Sequence, residues 1–153
     1  MSPIVTTIEI TRPPDEVFSY ITDPERYPEW QRDVVRVRVA EDRPAGVGSR
    51  FTTIRRVGGT DREMTQEVTE LVAPRSWAAR GVDGPIRPNA TVTVEPLDGG
   101  TRSQVTITLD FEGHGIGVPL LPLVRRQAQK GGPTSYRNLK ERLESRTVEP
   151  GPA

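Results

Sequence analysis

The chain has 153 residues, enough for one domain with a sizeable core and too few for two. Lys plus Arg and Asp plus Glu number 21 each, so the formal net charge is zero, without the basic excess of a dedicated nucleic-acid binder. Cysteine is absent, which removes disulfides, thiolate nucleophiles and cysteine-bearing metal sites, and a single histidine, His114, excludes a site built from two imidazoles.

The N-terminus carries no charged segment followed by a long apolar run, so no signal peptide is expected. The longest apolar stretch, Ile116 to Val124, contains two prolines and a glycine and is far shorter than the roughly 18 residues of a membrane span. The expectation is a soluble, cytoplasmic chain without stable membrane insertion. Fifteen prolines and fourteen glycines predict many turns.

Ile4 to Ile10 alternates at period two and predicts a strand. It stops at Pro13-Pro14, which suit a first helical turn, and Asp15 and Glu16 place negative charge where the helix dipole favours it. A second short helix is expected from Pro24 to Trp30, with Asp23 as its cap. Val35, Val37 and Val39 then alternate with Arg36 and Arg38, which predicts a strand with the valines inside. After a turn at Pro44–Gly48, strands are expected over Ser49–Val57, Thr60–Leu71, Ser76–Val82, Asn89–Pro96 and Ser103–Phe111. Gly58-Gly59 and Asp98-Gly99-Gly100 are the hairpin turns among them.

Beyond Gly117 the period changes to that of a helix, starting at Pro119 and carrying Leu120, Leu123, Val124, Ala128, Tyr136, Leu139 and Leu143. Gly131-Gly132-Pro133 is expected to bend or interrupt it within two residues of Gly132, with Ala128 and Tyr136 directed toward the sheet. Such a break would be a hinge or width-setting element, or would wrap the helix around the sheet's curvature. Residues 1–146 form a single domain in this reading, and 147–153 a disordered tail.

Strand, two helices, six strands and one long helix make an α+β fold: a curved seven-stranded antiparallel sheet with one face left for the helix to cover. A helix is narrower than such a sheet, so side chains or a ligand must fill the flanks. This order resembles the helix-grip superfamily (START and Bet v 1-like proteins), and within it the bacterial polyketide cyclase/dehydrase-like branch. The residues that carry the resemblance are Pro14-Asp15-Glu16-Val17-Phe18, Thr22-Asp23-Pro24-Glu25-Arg26-Tyr27-Pro28-Glu29-Trp30, Gly46-Val47-Gly48-Ser49-Arg50-Phe51 and Arg137 to Leu143. The resemblance implies a hydrophobic cavity between sheet and C-terminal helix, in a family containing both enzymes and carriers.

Candidate site residues follow from the alternation. Trp30, Trp77, Tyr27 and Tyr136 combine ring area with a polar tip that could hold a flat ligand, or they are ordinary core residues. Arg55 shares a face with Phe51, Thr53 and Val57; it either polarises a ligand carbonyl from inside or brackets a solvated strand edge with Arg56. Met64, Gln66 and Val68 are expected to face the cavity, with Glu63 and Glu67 on the exposed side. Phe111 closes the last strand. His114, between glycines, reads first as a solvated loop residue and second as a general acid or base. Gly113, Gly115 and Gly117 lack the dinucleotide-binding spacing and read as a strand-to-helix turn. The ligand set is thus Trp30, Phe51, Arg55, Met64, Gln66, Trp77, Phe111 and Tyr136, with Arg55 and His114 as catalytic candidates and no metal or cofactor.

The functional expectation is the binding of a small hydrophobic ligand, such as a lipid, polyketide or isoprenoid, in an internal cavity. The alternatives are an aromatase/cyclase or dehydratase acting on a poly-β-ketone, and a carrier that touches membranes through Ile116–Val124 with Arg125 and Arg126 at the headgroups.

Overall fold

The computed structural model describes residues 2–39 and 46–145. The tail at 147–153 and the first part of the turn expected from Pro44 lie outside the described residues. Strand β1 (Ile4–Ile10) leads into helix α1 (Pro14–Ile21) and a 3-10 turn (Pro24–Arg26) that continues as α2 (Tyr27–Trp30). Six strands follow: β2 (Val34–Val39), β3 (Arg50–Val57), β4 (Thr60–Val72), β5 (Ser76–Asp83), β6 (Ile86–Leu97) and β7 (Arg102–Gly113). A 3-10 turn (Asp98–Gly100) joins β6 to β7, and another (Gly115–Leu120) precedes α3 (Leu121–Ser145).

The strands form one curled antiparallel sheet in the order β1-β7-β6-β5-β4-β3-β2, the helix-grip architecture. Pairing of Ile4 with Leu109 and Ile10 with Ser103 joins the first strand to the last. Each strand turns alternate residues to the interior: Ile10, Phe51, Thr53, Met64, Val68, Trp77, Ala79, Val92, Val94, Val105 and Ile107 are all buried. The hairpin at Gly58-Gly59 has φ of 58° and 84°, the left-handed pair that a two-residue turn matched to strand twist requires.

Strand β2 departs from the expected pattern. The pairing register shifts between Val34 and Arg36, so Val34 takes the interior position opposite Arg55. Val35 is exposed, as is Val39, and only Val37 of the expected three packs against the core. A bulge inserts one residue and reverses the face of everything before it.

Helix α3 is continuous through Gly131, Gly132 and Pro133, so of the two expected outcomes the interruption does not occur. Pro133 cannot donate to the carbonyl of Gln129, but both residues are exposed, so water can take the freed acceptor. Burial of Val124 on one side of the weak stretch and of Leu139 and Leu143 on the other keeps the helix continuous despite its local propensity. Tyr136 packs against the core as expected, and Ala128 is half-buried.

The C-terminal end of α3 is fastened to the β1–α1 corner. Arg12 Nε donates to the Leu143 carbonyl at 2.9 Å, the Thr11 N–H donates to Glu144 Oε2 at 2.9 Å, and Lys140 Nζ donates to the Glu9 carbonyl at 2.5 Å. A guanidinium there satisfies an orphan carbonyl and complements the negative end of the helix dipole.

The glycines before α3 serve a close approach. A Cβ on Gly117 would stand 1.8 Å from the carbonyl oxygen of Pro85, and the Gly117 N–H closes the turn onto the His114 carbonyl at 3.0 Å. Gly117→Ala is therefore expected to destabilise by about 2–3 kcal/mol through overpacking against backbone that must shift. Gly131→Ala should instead stabilise by about 1 kcal/mol, since helix propensity improves and nothing stands within 4 Å of the added methyl. Urea denaturation of both variants against the parent checks the two signs.

Candidate ligand-binding site

The approach from β1 to the sheet's far edge places α2 at the mouth of the interior. Asp23 caps the 3-10 turn by accepting from the Glu25 N–H at 3.1 Å, and Pro24 and Pro28 limit the backbone on either side of Tyr27. Tyr27 and Trp30 are thereby turned inward, both buried. Asn138 of α3 donates to the Trp30 carbonyl at 3.4 Å, and the Arg32 N–H donates to Ser135 Oγ at 3.2 Å, so α2 is tied to α3.

Five rings then run across the space between sheet and helix. Tyr136 of α3 lies 6.2 Å from Trp30, Trp30 meets Tyr27 edge-on at 5.9 Å, Tyr27 meets Phe51 edge-on at 5.9 Å, and Phe51 lies 6.3 Å from Trp77. Edge-on and tilted contacts at these spacings are the favoured geometries of aromatic pairs. Trp77 has room because Ala79 and Gly81 follow it on the same face. Four expected ligand residues, Trp30, Phe51, Trp77 and Tyr136, are thus brought together. Tyr27, outside the expected set, is the link between two pairs of them.

One polar atom in this chain of rings is unsatisfied. Trp30 is 5% exposed, and its Nε1 is buried with no hydrogen-bond partner among the described residues. A buried donor without an acceptor costs about 1–3 kcal/mol.

Arg55 is on the interior face, as the alternation requires, with its side chain 18% exposed, and is not a solvated bracket of the strand edge. Its Nη1 donates to Asp33 Oδ1 at 3.1 Å, a partner that sequence patterning did not supply. Burial raises the pKa of Tyr27 and of Tyr136, and the positive charge of Arg55 opposes the rise in both, which places Arg55 within electrostatic reach of the two phenols.

The remaining expected residues lie apart. Met64 and Phe111 belong to a second cluster with Val57, Ile86, Val124 and Leu120, under the N-terminal part of α3. Gln66 is buried, but its Nε2 donates to the Pro88 carbonyl at 3.2 Å, so its amide serves the β6 main chain. Reaching across is possible because β6 passes close to Gly81, where a Cβ would stand 2.4 Å from Arg87 Cβ. His114 is half-exposed beside Glu112, at 3.9 Å, and the structure brings it to none of these groups.

Two open clefts, of about 400 and 540 Å3, lie at the C-terminal end of α3 and are lined by Tyr20, Arg26, Glu29, Asn138, Glu141, Arg142 and Ser145. Their walls are polar, and neither is the enclosed apolar cavity expected between sheet and helix. The aromatic side chains lie between sheet and helix instead. Ile116, Val118 and Leu123 are exposed, whereas Arg125 is turned inward to Asp110 at 3.1 Å, so of the two expected headgroup arginines only Arg126 is exposed. No helix among the described residues is long and apolar enough to cross a membrane.

Residues 1–144 match the family described as polyketide cyclase / dehydrase and lipid transport. The chain belongs to this family. No curated protein matches the sequence. Among solved structures, the family member is similar to the Zhui aromatase/cyclase from Streptomyces sp. R1128, with a TM-score of 0.79, 17% identity and 97% of each chain covered. It is also similar to a START superfamily protein from Mycobacterium smegmatis, with a TM-score of 0.77, 18% identity, and 96% of this chain and 100% of that one covered. At such identities the likeness is one of fold.

The tyrosines of this family member supply a test of the packing. Burial, together with the hydrogen bond to Glu29, pushes Tyr20 up to about 12, and burial raises Tyr27 and Tyr136 as well. The chain has three tyrosines, so all of them resist ionisation. A raised folded pKa means that the unfolded state loses protons first, so stability falls as pH rises above about 10, the value of a free phenol. The 295 nm tyrosinate absorbance should stay flat through that pH and rise only as the protein unfolds. Half-ionisation of even one tyrosine near pH 10 in the folded protein would contradict the packing described.

Proposed function

We propose that this protein binds a small hydrophobic ligand, flat and bearing a carbonyl, between the sheet and α3. The observation that carries the reading is the unpartnered indole N–H of Trp30, buried within a chain of five aromatic rings. A ligand sliding among the rings would gain apolar contact on its faces, and a carbonyl would take the vacant donor. Entry requires the rings to part. Tyr136 is the mobile candidate, since it ends the chain of rings, with Trp30 on one side and only Gly132 (a Cβ there would stand 3.4 Å from Cε2) on its own helix face. The family's inclusion of lipid transport supports the same reading.

A second reading is ring closure of a poly-β-ketone, supported by Arg55 on the interior face and by the fold shared with the Zhui aromatase/cyclase. In it, one guanidinium N–H stays with Asp33 while another donates to the oxygen that gains charge as an enolate carbon attacks a ketone. Incubation with a minimal polyketide synthase tests it: altered product regiochemistry, lost in Arg55→Met, supports the reading, and unchanged products refute it.

The binding reading is tested by calorimetric titration with 2-acetylnaphthalene and 2-ethylnaphthalene, which differ in the carbonyl. Both should bind, the ketone about tenfold tighter, in line with one buried hydrogen bond. Trp30→Phe should abolish the difference while leaving the hydrocarbon's affinity nearly unchanged. If neither compound binds, the reading fails. If both bind with equal affinity to parent and variant, the indole is not the polar handle.

A further inference from the structure

The Gly58-Gly59 hairpin pairs Arg55 with Arg62, so two arginines stand directly opposite one another on adjacent strands. Facing cross-strand residues project from the same side of a sheet, and like charges in that position repel. The side is the interior one: Arg55 shares it with Phe51 and Thr53, and Arg62 shares it with Met64, Gln66 and Val68, all buried.

The two cations are unequally matched. Arg55 has Asp33. Among the described residues Arg62 has no carboxylate within ion-pair distance, and its Nε is buried without any hydrogen-bond partner. Neighbouring acids are committed elsewhere: Asp61 pairs with Arg56 at 2.9 Å, Glu63 with Arg38 at 2.8 Å and Asp110 with Arg125 at 3.1 Å.

The covering helix offers nothing either. Gln127 donates to the Arg56 carbonyl at 2.6 Å, and Tyr136 lies within the field of Arg55, so α3 crosses this part of β3 between those two residues. Between them its half-buried positions include Ala128, Gly131 and Gly132, and α3 has no acidic residue before Glu141. Among the described residues one carboxylate stands against two inward-facing guanidinium groups, leaving a surplus positive charge at the edge of the aromatic chain. Arg62 is half-buried, with its Nε shielded and unpartnered, and a ligand oxyanion is the group that would match it, by paired N–H donation.

We infer that Arg62, with Arg55 beside it, is the docking point for an anionic group on the ligand, so that the bound molecule is an amphiphilic organic anion. This inference rests on the hydrophobic-ligand reading and adds to it the ligand's charge. The apolar body lies toward Trp30 and Tyr136, and the oxyanion lies toward Arg62. Arg62 is thereby a specificity-determining residue.

The test uses two fluorescent probes with one skeleton: 1-anilinonaphthalene-8-sulfonate, and N-phenyl-1-naphthylamine, which lacks the sulfonate. Arg62→Gln should weaken the sulfonate by at least about tenfold, as expected for a lost charge-assisted hydrogen bond, and leave the neutral amine within about twofold. Arg62→Lys should fall between, because it keeps the charge and loses the planar fork. Ligand-free Arg62→Gln should melt at or above the parent's temperature, since it relieves a like-charge contact; a marked fall would mean that Arg62 is structural and would overturn the inference. Equal weakening of both probes, or of neither, overturns it while the hydrophobic-ligand reading stands. Failure of the neutral probe to bind the parent protein removes both.

Discussion

One sheet face must be covered by one long helix, and the rest of the molecule follows from that mismatch in width. Helix α3 is anchored at both ends. Near its start Gly117 seats the chain against Pro85, Arg125 reaches Asp110, and Gln127 accepts from the Gly58 N–H and donates to the Arg56 carbonyl. At its end Arg12 and Lys140 bind main-chain carbonyls while Leu139 and Leu143 are fully buried. With the ends secured, the middle can be built from Ala128, Gly131, Gly132 and Pro133, residues that would not hold a free helix. The thin middle leaves the interior to aromatic rings and arginines from elsewhere.

Much of the fold is legible in the chain because its signals are local. Period-two alternation marks the strands, Pro and Gly mark their ends, and the Gly58-Gly59 pair marks a hairpin whose register then follows. Two elements are misread for one reason. The bulge at Val34 is set by pairing with β3, and the continuity of α3 is set by what its two ends touch. Both are tertiary facts, and propensity read along the chain has no access to them.

The site is legible to a lesser degree. Trp30, Phe51, Trp77 and Tyr136 stand out as large rings on interior positions, and they do meet. That Met64 and Phe111 join a different cluster, and that Gln66 spends its amide on Pro88, depends on distances that alternation does not contain. Asp33 had no signal, since it pairs with Arg55 only through the docking of β2 on β3. Arg62 did have one. A two-residue turn at 58 and 59 pairs 57 with 60, and therefore 55 with 62, so two inward arginines follow from the hairpin alone.

The bulged strand β2 has a consequence for how copies of this chain meet. It is one of the sheet's two margins, β1 being the other, and a free margin is a template on which another strand can add. A chain of zero formal net charge has no long-range repulsion to keep neighbours at a distance. The margin must then be guarded at short range. The irregular step at Val34 bends the template, and Arg36 and Arg38, the latter paired with Glu63, place charged groups along its exposed face. A strand added to this margin would have to follow the bend at Val34 and lie beside the exposed Arg36 and Arg38.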